Sequence, residues 1–331
     1  MNTLETISVS ILGLITGGLF LYFGADGLVK GSASVAIRRG ITPLVVGLTI
    51  VAFGTSSPEL VVSVSAAIRK NSGIAFGNVI GSNICNIALI LGLAALILPI
   101  KVNLKLIKRD ILIMIGSTFL LILLILDQNL SRFDGAILFL GIISYTGYTL
   151  YSAKKERNKE EGFITEIKSK KWLDIIFIVG GLIILVIGAN LFIDGAIKIA
   201  RMLEVSDVII GLSVVALGTS LPELATSVVA TIKKEGDISI GNIVGSNIFN
   251  ILCILGIAAL LEPIVLSGSN QVNYIDMLVM VLISIILLPL AWTKLELSRL
   301  EGAFLLFLYF GYMYYMFSYR ANEISHLLLR N

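Results

Sequence analysis

Ten runs of about twenty apolar residues follow one another along this chain, each long enough to cross a hydrocarbon core of about 30 Å. They cover approximately residues 7–29, 41–68, 74–99, 108–127, 133–152, 173–197, 207–232, 238–263, 274–293 and 299–319. The runs are continuous rather than alternating, so they read as helices that satisfy their own backbone in lipid, not as strands of a membrane barrel. Composition agrees: 56% of the 331 residues are hydrophobic and 14% charged, against about 25% charged in an average soluble domain. So little charge cannot cover a water-facing surface. No Lys or Arg precedes the first run, so the basic region of a cleaved signal peptide is missing and the first span is expected to be retained.

What the chain lacks narrows its chemistry. Its two cysteines, Cys85 and Cys253, lie inside apolar runs, which excludes a disulfide framework and favours packing over a thiolate metal site. His326 is the single histidine and sits in a polar tail, so neither a histidine metal cluster nor a Ser-His dyad can be assembled. With no nucleophile–base set and no nucleotide motif following a strand, the expectation is not an enzyme and no cofactor. A net charge of +3 gives no reason to expect a nucleic-acid partner.

The chain repeats itself. At a constant offset of 164, Gly47–Gly92 lies over Gly211–Gly256 without gaps, with 27 identities in 46 pairs. Gly24-Ala25 matches Gly188-Ala189 and Pro99-Ile100 matches Pro263-Ile264 in the same register. The longest polar stretch, Lys154 to Lys171, separates five spans from five. The expected organisation is a first five-helix repeat over 1–153, a short charged linker over 154–172 and a second repeat over 173–331. Five is odd, so the second copy enters the membrane from the opposite side. The fold class expected is therefore an all-α membrane protein of ten transmembrane helices in two inverted five-helix repeats, the plan of many secondary transporters. Connections after odd-numbered spans carry 18 Lys/Arg and the opposite face carries 7. The basic face is expected in the cytoplasm, placing the linker inside and both termini outside a plasma membrane.

Each repeat carries a segment that lipid would not tolerate: Gly54-Thr55-Ser56-Ser57-Pro58-Glu59 and Gly218-Thr219-Ser220-Leu221-Pro222-Glu223. Glycine and proline break the helix, and carbonyls freed at membrane depth need a partner such as a cation in a polar cavity. A charge at that depth costs at least about 2.5–3.5 kcal/mol, so Glu59 and Glu223, one per repeat, read as an ion pathway. A second element follows, Gly77-Asn78-Val79-Ile80-Gly81-Ser82-Asn83-Ile84-Cys85-Asn86, matched by Gly241-Asn242-Ile243-Val244-Gly245-Ser246-Asn247-Ile248-Phe249-Asn250. Its small-xxx-small glycines predict close helix packing. That packing would press Ser82 and Asn86, four apart on one helical face, against the broken helix, and Ser246 and Asn250 likewise. Asn83 and Asn247 point elsewhere and are expected to bond helix to helix. All these donors are oxygen, which suits Ca²⁺ and Na⁺ and not zinc, copper or iron. Two carboxylates neutralise one Ca²⁺ or two Na⁺, and competition for one pocket is the simplest basis for antiport.

At these residues the sequence resembles the cation/calcium exchanger superfamily, in its sodium/calcium branch, including archaeal exchangers. GTSSPEL…GNVIGSNICN and GTSLPEL…GNIVGSNIFN are similar to that family's paired alpha-repeats. The resemblance implies Glu59 and Glu223 as central carboxylate ligands. It implies Thr55, Ser56, Thr219 and Ser220 as ligands through hydroxyl or carbonyl, with the Ala52 and Ala216 carbonyls nearby. Ser82 and Ser246 would complete flanking Na⁺ sites, Asn86 and Asn250 would close the centre, and the first two helices of each half would slide against the rest. Asn250 departs from the aspartate of the archaeal exchangers, leaving two carboxylates rather than three. The function expected is Na⁺/Ca²⁺ antiport by alternating access, with lipid and small inorganic cations as partners. H⁺/Ca²⁺ exchange through the same glutamates, and a passive cation channel, stay open as alternatives.

Overall fold

The computed structural model describes residues 3–157, 171–202, 216–266 and 274–328. These residues are almost wholly helical. In chain order the helices are α1 (Thr3–Arg39), α2 (Pro43–Thr55), α3 (Ser57–Ile68), α4 (Ser72–Ile97), α5 (Leu112–Leu124, entered through a π-helical turn Leu106–Ile111) and α6 (Arg132–Arg157). After the linker come α7 (Lys171–Met202), a helical turn Ala216–Gly218, α8 (Leu221–Ile232), α9 (Gly236–Leu261), α10 (Tyr274–Trp292) and α11 (Arg299–Leu328). Seven of these helices are long and apolar enough to cross a membrane, and α2 with α3 makes an eighth span bent by 47°. The chain is an integral multi-pass membrane protein.

Several expected limits shift. Helix α1 runs ten residues past position 29, and α6, α7 and α11 also outlast their apolar runs. Charged ends such as Arg38-Arg39 stop hydrophobicity but not a helix, since Lys and Arg are good helix formers whose charge suits a C-terminus. The span expected over 207–232 is described only from 216, and the linker over 154–172 falls largely outside the described residues. The all-α expectation meets one small departure, two antiparallel strand pairs of two residues each. Strand β1 (Ile100–Lys101) pairs with β4 (Glu296–Leu297), and β2 (Asn129–Leu130) pairs with β3 (Ile264–Val265). Each follows a Pro or polar break and gives the exposed loop backbone somewhere to bond.

Helices α4 and α9 form the centre: 72% and 89% of the residues in their apolar stretches are buried, against 22% in α1 and α7. The outer pair α1–α7 packs through glycines spaced seven apart. A Cβ built on Gly17 would stand 2.8 Å from the Gly188 carbonyl oxygen, one on Gly24 2.8 Å from that of Gly181, and one on Gly181 2.7 Å from that of Gly24. Only glycine lets two backbones approach so closely, a device common where lipid supplies no hydrophobic drive between helices. The smaller apolar cluster joins α1 and α7 to Val46 and Val51 of α2 and to Val229 and Ala230 of α8, while α2 and α3 also contribute buried residues to the central core. A helix with residues in two clusters is anchored to both.

Contacts recur in exchanged pairs. Gly92 meets Gly302 and Gly135 meets Gly256. Arg132 donates to the Leu261 carbonyl at 3.4 Å, and Arg299 to the Ile97 carbonyl at 3.2 Å. Ser131 with Asp134 and Ser298 with Glu301 form matching capping boxes at the starts of α6 and α11.

Candidate ion-binding site

The helix breaks fall at Ser56 (φ −80°, ψ 7°) and Ser220 (φ −87°, ψ 7°), two residues before each proline. Pro58 and Pro222 thus occupy the first turn of α3 and α8, where an absent N–H costs nothing. The same turn holds Glu59 and Glu223, so each carboxylate sits at the positive end of its helix. Both are buried, at 1% and 0% exposure. Burial of two acids in an apolar bundle needs compensation from specific partners.

Those partners come from the opposite half. Ser56 Oγ donates to Glu223 Oε1 at 2.8 Å, and Ser220 Oγ to Glu59 Oε1 at 3.2 Å. Since each serine lies three residues before its own glutamate, the two breaks are cross-braced and the carboxylates are drawn toward one locus. Ser220 Oγ also meets Ser82 Oγ at 3.3 Å. Thr55 Oγ1 donates to Asn242 Oδ1 at 3.1 Å, and half-buried Thr219 to Asn78 Oδ1 at 3.5 Å. The Ala52 carbonyl accepts the Ser56 N–H at 3.0 Å and is also approached by the Thr55 hydroxyl at 3.5 Å. Ala216 begins its helical turn at the edge of the described residues.

Asn86 is the second residue of the π-helical stretch Cys85–Leu91 in the middle of α4, and Asn250 the first of Asn250–Leu255 in α9. Such turns widen the ladder and are frequent at functional positions. Asn86 Nδ2 donates to Asn247 Oδ1 and Asn250 Nδ2 to Asn83 Oδ1, both at 3.0 Å. Asn83 and Asn247 also donate to each other's carbonyls, at 3.4 and 3.2 Å, the helix-to-helix role expected of them. With its amide nitrogen held this way, each ligand-candidate asparagine turns its oxygen elsewhere. Close glycine packing is seen in the second half, where a Cβ on Gly245 would lie 2.7 Å from the Leu48 carbonyl oxygen. The repeat equivalents of Leu44 and Leu48, residues 208 and 212, lie outside the described residues.

One observation defines the chemistry. Glu59 Oε2, Glu223 Oε2, Asn86 Oδ1 and Asn250 Oδ1 are buried and have no hydrogen-bond partner among the described residues, and Ser246 Oγ has none either. Orphaned acceptors of this kind cost about 1–3 kcal/mol each, more when charged. Four of these acceptor oxygens form two repeat-related pairs, and oxygen is the donor type that hard cations prefer. No cluster of three or more His, Cys, Asp or Glu exists among the described residues, so the donor set is two carboxylates plus neutral oxygens.

Sequence reasoning quoted Asn78 and Asn242 without giving them a role. Each orients the site: Asn78 Nδ2 donates to Ser63 Oγ at 2.9 Å and Asn242 Nδ2 to Ser227 Oγ at 3.0 Å, while their oxygens receive the Thr219 and Thr55 hydroxyls. Their place four residues before Ser82 and Ser246, on the same helical face, is the signal that points to them.

Known proteins resemble this chain in sequence and fold. The family model described as sodium/calcium exchanger protein matches residues 9–152 and 173–318. The sodium/calcium exchanger MaX1 of Methanosarcina acetivorans is 35% identical over 349 residues, covering 94% of this chain and 99% of that protein. The inner membrane protein YrbG of Escherichia coli is 36% identical over 289 residues, covering 85% of this chain and 88% of its own length. A solved structure of the sodium-calcium exchanger NCX_Mj, soaked without Na⁺ and Ca²⁺, superposes with a TM-score of 0.81 at 33% identity, covering 94% of this chain and 99% of that one. With both halves matched by the family model and full-length relatives above 30% identity, the chain belongs to the sodium/calcium exchanger protein family, a family of membrane antiporters and not of enzymes.

Proposed function

We propose that this protein exchanges Ca²⁺ for Na⁺ across the plasma membrane by alternating access, with both ions competing for one pocket between the two helix breaks. The observation that carries this reading is the set of four orphaned acceptors, Glu59 Oε2, Glu223 Oε2, Asn86 Oδ1 and Asn250 Oδ1. Ca²⁺ takes six to eight oxygens, so these four would be joined by hydroxyls or carbonyls from Thr55, Ser56, Ala52, Thr219, Ser220 and Ala216, and by water. Ser82 and Ser246 would serve flanking Na⁺. Asn250 contributes no charge, so two carboxylates balance one Ca²⁺ or two Na⁺.

The halves are read as inverted five-span repeats, 1–153 and 173–331. Reciprocal bonding supports this: Ser56–Glu223 and Ser220–Glu59 exchange roles at the repeat offset. Strand pairing supports the sidedness drawn from Lys/Arg counts. β1 and β4 follow the third and ninth spans, and β2 and β3 follow the fourth and eighth, so each pair joins connections that the count puts on one face. Linker 154–172 is then cytoplasmic and both termini are extracellular. The α1–α7 pair, joined by its glycine seam and sparsely buried, is the element best placed to slide and change which side reaches the pocket.

Proteoliposomes loaded with Na⁺ and diluted into Na⁺-free medium are expected to accumulate Ca²⁺. Glu59→Gln and Glu223→Gln, nearly isosteric, are expected to abolish that uptake while the protein still inserts and melts normally. Uptake driven by a pH gradient and indifferent to Na⁺ would replace Na⁺ coupling with proton coupling. Flux without counter-transport would replace exchange with a leak. If three Na⁺ move against one Ca²⁺, the net charge responds to voltage by about 2.3 kcal/mol per 100 mV.

A further inference from the structure

Two buried asparagines on α4, Asn83 and Asn86, face two on α9, Asn247 and Asn250. A carboxamide presents an acceptor oxygen on one side and two N–H donors on the other, in nearly the same shape. Sterics therefore do not choose which end faces a given neighbour; hydrogen bonding must. Beside a cation the choice is decisive, because the oxygen is a ligand and the NH₂ group points positive hydrogens at the ion.

The choice can be followed back to two backbone carbonyls. A carbonyl only accepts, so Asn83 must turn its Nδ2 to the Asn247 carbonyl, at 3.4 Å, and Asn247 its Nδ2 to the Asn83 carbonyl, at 3.2 Å. Asn83 Nδ2 also reaches Met280 Sδ at 3.9 Å, another group that only accepts. Each of the two then has only Oδ1 left to offer. Asn250 meets Asn83 Oδ1 with its Nδ2, and Asn86 meets Asn247 Oδ1 with its own, both at 3.0 Å. A flipped amide at either position would set oxygen against oxygen. With the nitrogens committed, Asn86 Oδ1 and Asn250 Oδ1 are left without a partner among the described residues.

The bonding is crossed. An asparagine of one repeat orients the ligand candidate of the other, as Ser56 and Ser220 brace the glutamates. One turn before Asn86, Ser82 Oγ meets Ser220 Oγ, which in turn donates to Glu59, so this part of α4 lies against a helix break.

We propose that Asn83 and Asn247 are positioning residues that relay the polarity of two backbone carbonyls to the ion pocket, fixing Asn250 and Asn86 as oxygen donors. They touch no ion themselves. The inference rests on the reading of Asn86 and Asn250 as Ca²⁺ ligands.

A carboxylate supplies the test, since its two oxygens are equivalent and need no orienting. Equilibrium binding of radioactive Ca²⁺ to the purified protein reads the pocket whichever ion drives exchange. Asn83→Ala and Asn247→Ala are each expected to weaken binding about tenfold, the scale of one lost oxygen ligand. Rescue is expected to follow the crossing. Asn250→Asp cancels the loss from Asn83→Ala but not that from Asn247→Ala, and Asn86→Asp does the reverse. A role in packing alone gives the same loss in every background, and a general effect of added charge lets either carboxylate substitution rescue both alanine variants. Each of those results overturns the proposal, as does undiminished binding by the folded alanine variants. A lack of Ca²⁺ binding by the unaltered chain would instead remove the exchange reading, and this inference with it. If the alanine variants do not fold, the unaltered chain decides: with isotope-labelled asparagine, Ca²⁺ is expected to lower the side-chain carbonyl stretch in infrared difference spectra, and an unmoved band overturns the proposal.

Discussion

Alanine at Gly24 would break the seam between α1 and α7, and the structure gives the size of the effect. The new Cβ would stand 2.7 Å from the Leu185 nitrogen, 2.8 Å from the Gly181 oxygen and 2.9 Å from Leu185 Cγ. Ordinary contact begins near 3.4 Å, so two backbone atoms must give way by about 0.6–0.7 Å. Neither belongs to a flexible side chain, and overpacking against such atoms costs about 1–3 kcal/mol. Alanine also stabilises a helix interior by about 1 kcal/mol relative to glycine, which would mask part of the loss. Gly18→Ala, on the same helix, removes that ambiguity: its Cβ meets nothing within 4 Å, so it reports the propensity gain alone. The difference in melting temperature between the two purified variants therefore isolates the seam. It is expected to reach several degrees, with Gly24→Ala the less stable. Gly188→Ala, whose Cβ would lie 2.8 Å from the Leu21 nitrogen, is expected to repeat the loss from the other side. If Gly24→Ala melts with or above Gly18→Ala, the two backbones are not in contact and the account of α1–α7 as one unit fails.

Other variants separate packing from ion chemistry. Asn83→Ala removes a donor to the Asn247 carbonyl and the acceptor for Asn250, and is expected to cost about 1–3 kcal/mol by leaving buried groups unpaired; a double-mutant cycle with Asn247→Ala would reveal their coupling in chemical denaturation. Ser246→Ala deletes a hydroxyl without a protein partner among the described residues, so its melting temperature is expected to hold while the Na⁺ dependence of Ca²⁺ uptake changes. Asp174→Asn weakens the 2.7 Å bond from Arg38 that ties the ends of α1 and α7, and thermal unfolding is expected to fall by an amount exceeding the 0–1 kcal/mol of an exposed pair, because Asp174 is buried. Asn250→Asp adds a third carboxylate, and voltage-dependent Ca²⁺ uptake is expected to shift with the altered charge balance.

Membrane residence, the duplicated halves and the two glutamates were all legible in the residues, because each is a local or periodic property. Apolar runs declare lipid as solvent whatever their neighbours are. A repeat in register declares itself by identity, and an acid in the middle of an apolar span is conspicuous without any knowledge of its partner. What the runs could not mark was where helices end, as α1 shows by continuing through Lys30 to Arg39. Nor could they show where the breaks fall, since Pro58 and Pro222 suit the start of the following helix and the kink moves two residues back to a serine.

Tertiary structure alone decided which oxygens meet. Ser56 belongs to Glu223 and Ser220 to Glu59, a crossing that no spacing within one repeat contains. The roles of Asn78 and Asn242 depend on threonines 141 and 187 residues away. The glycine seam of α1 and α7 is likewise a property of surfaces brought together. Hydrophobic pattern is written along a single segment and can be read there. Hydrogen-bond satisfaction and void space are settled between segments, and only the folded chain determines them.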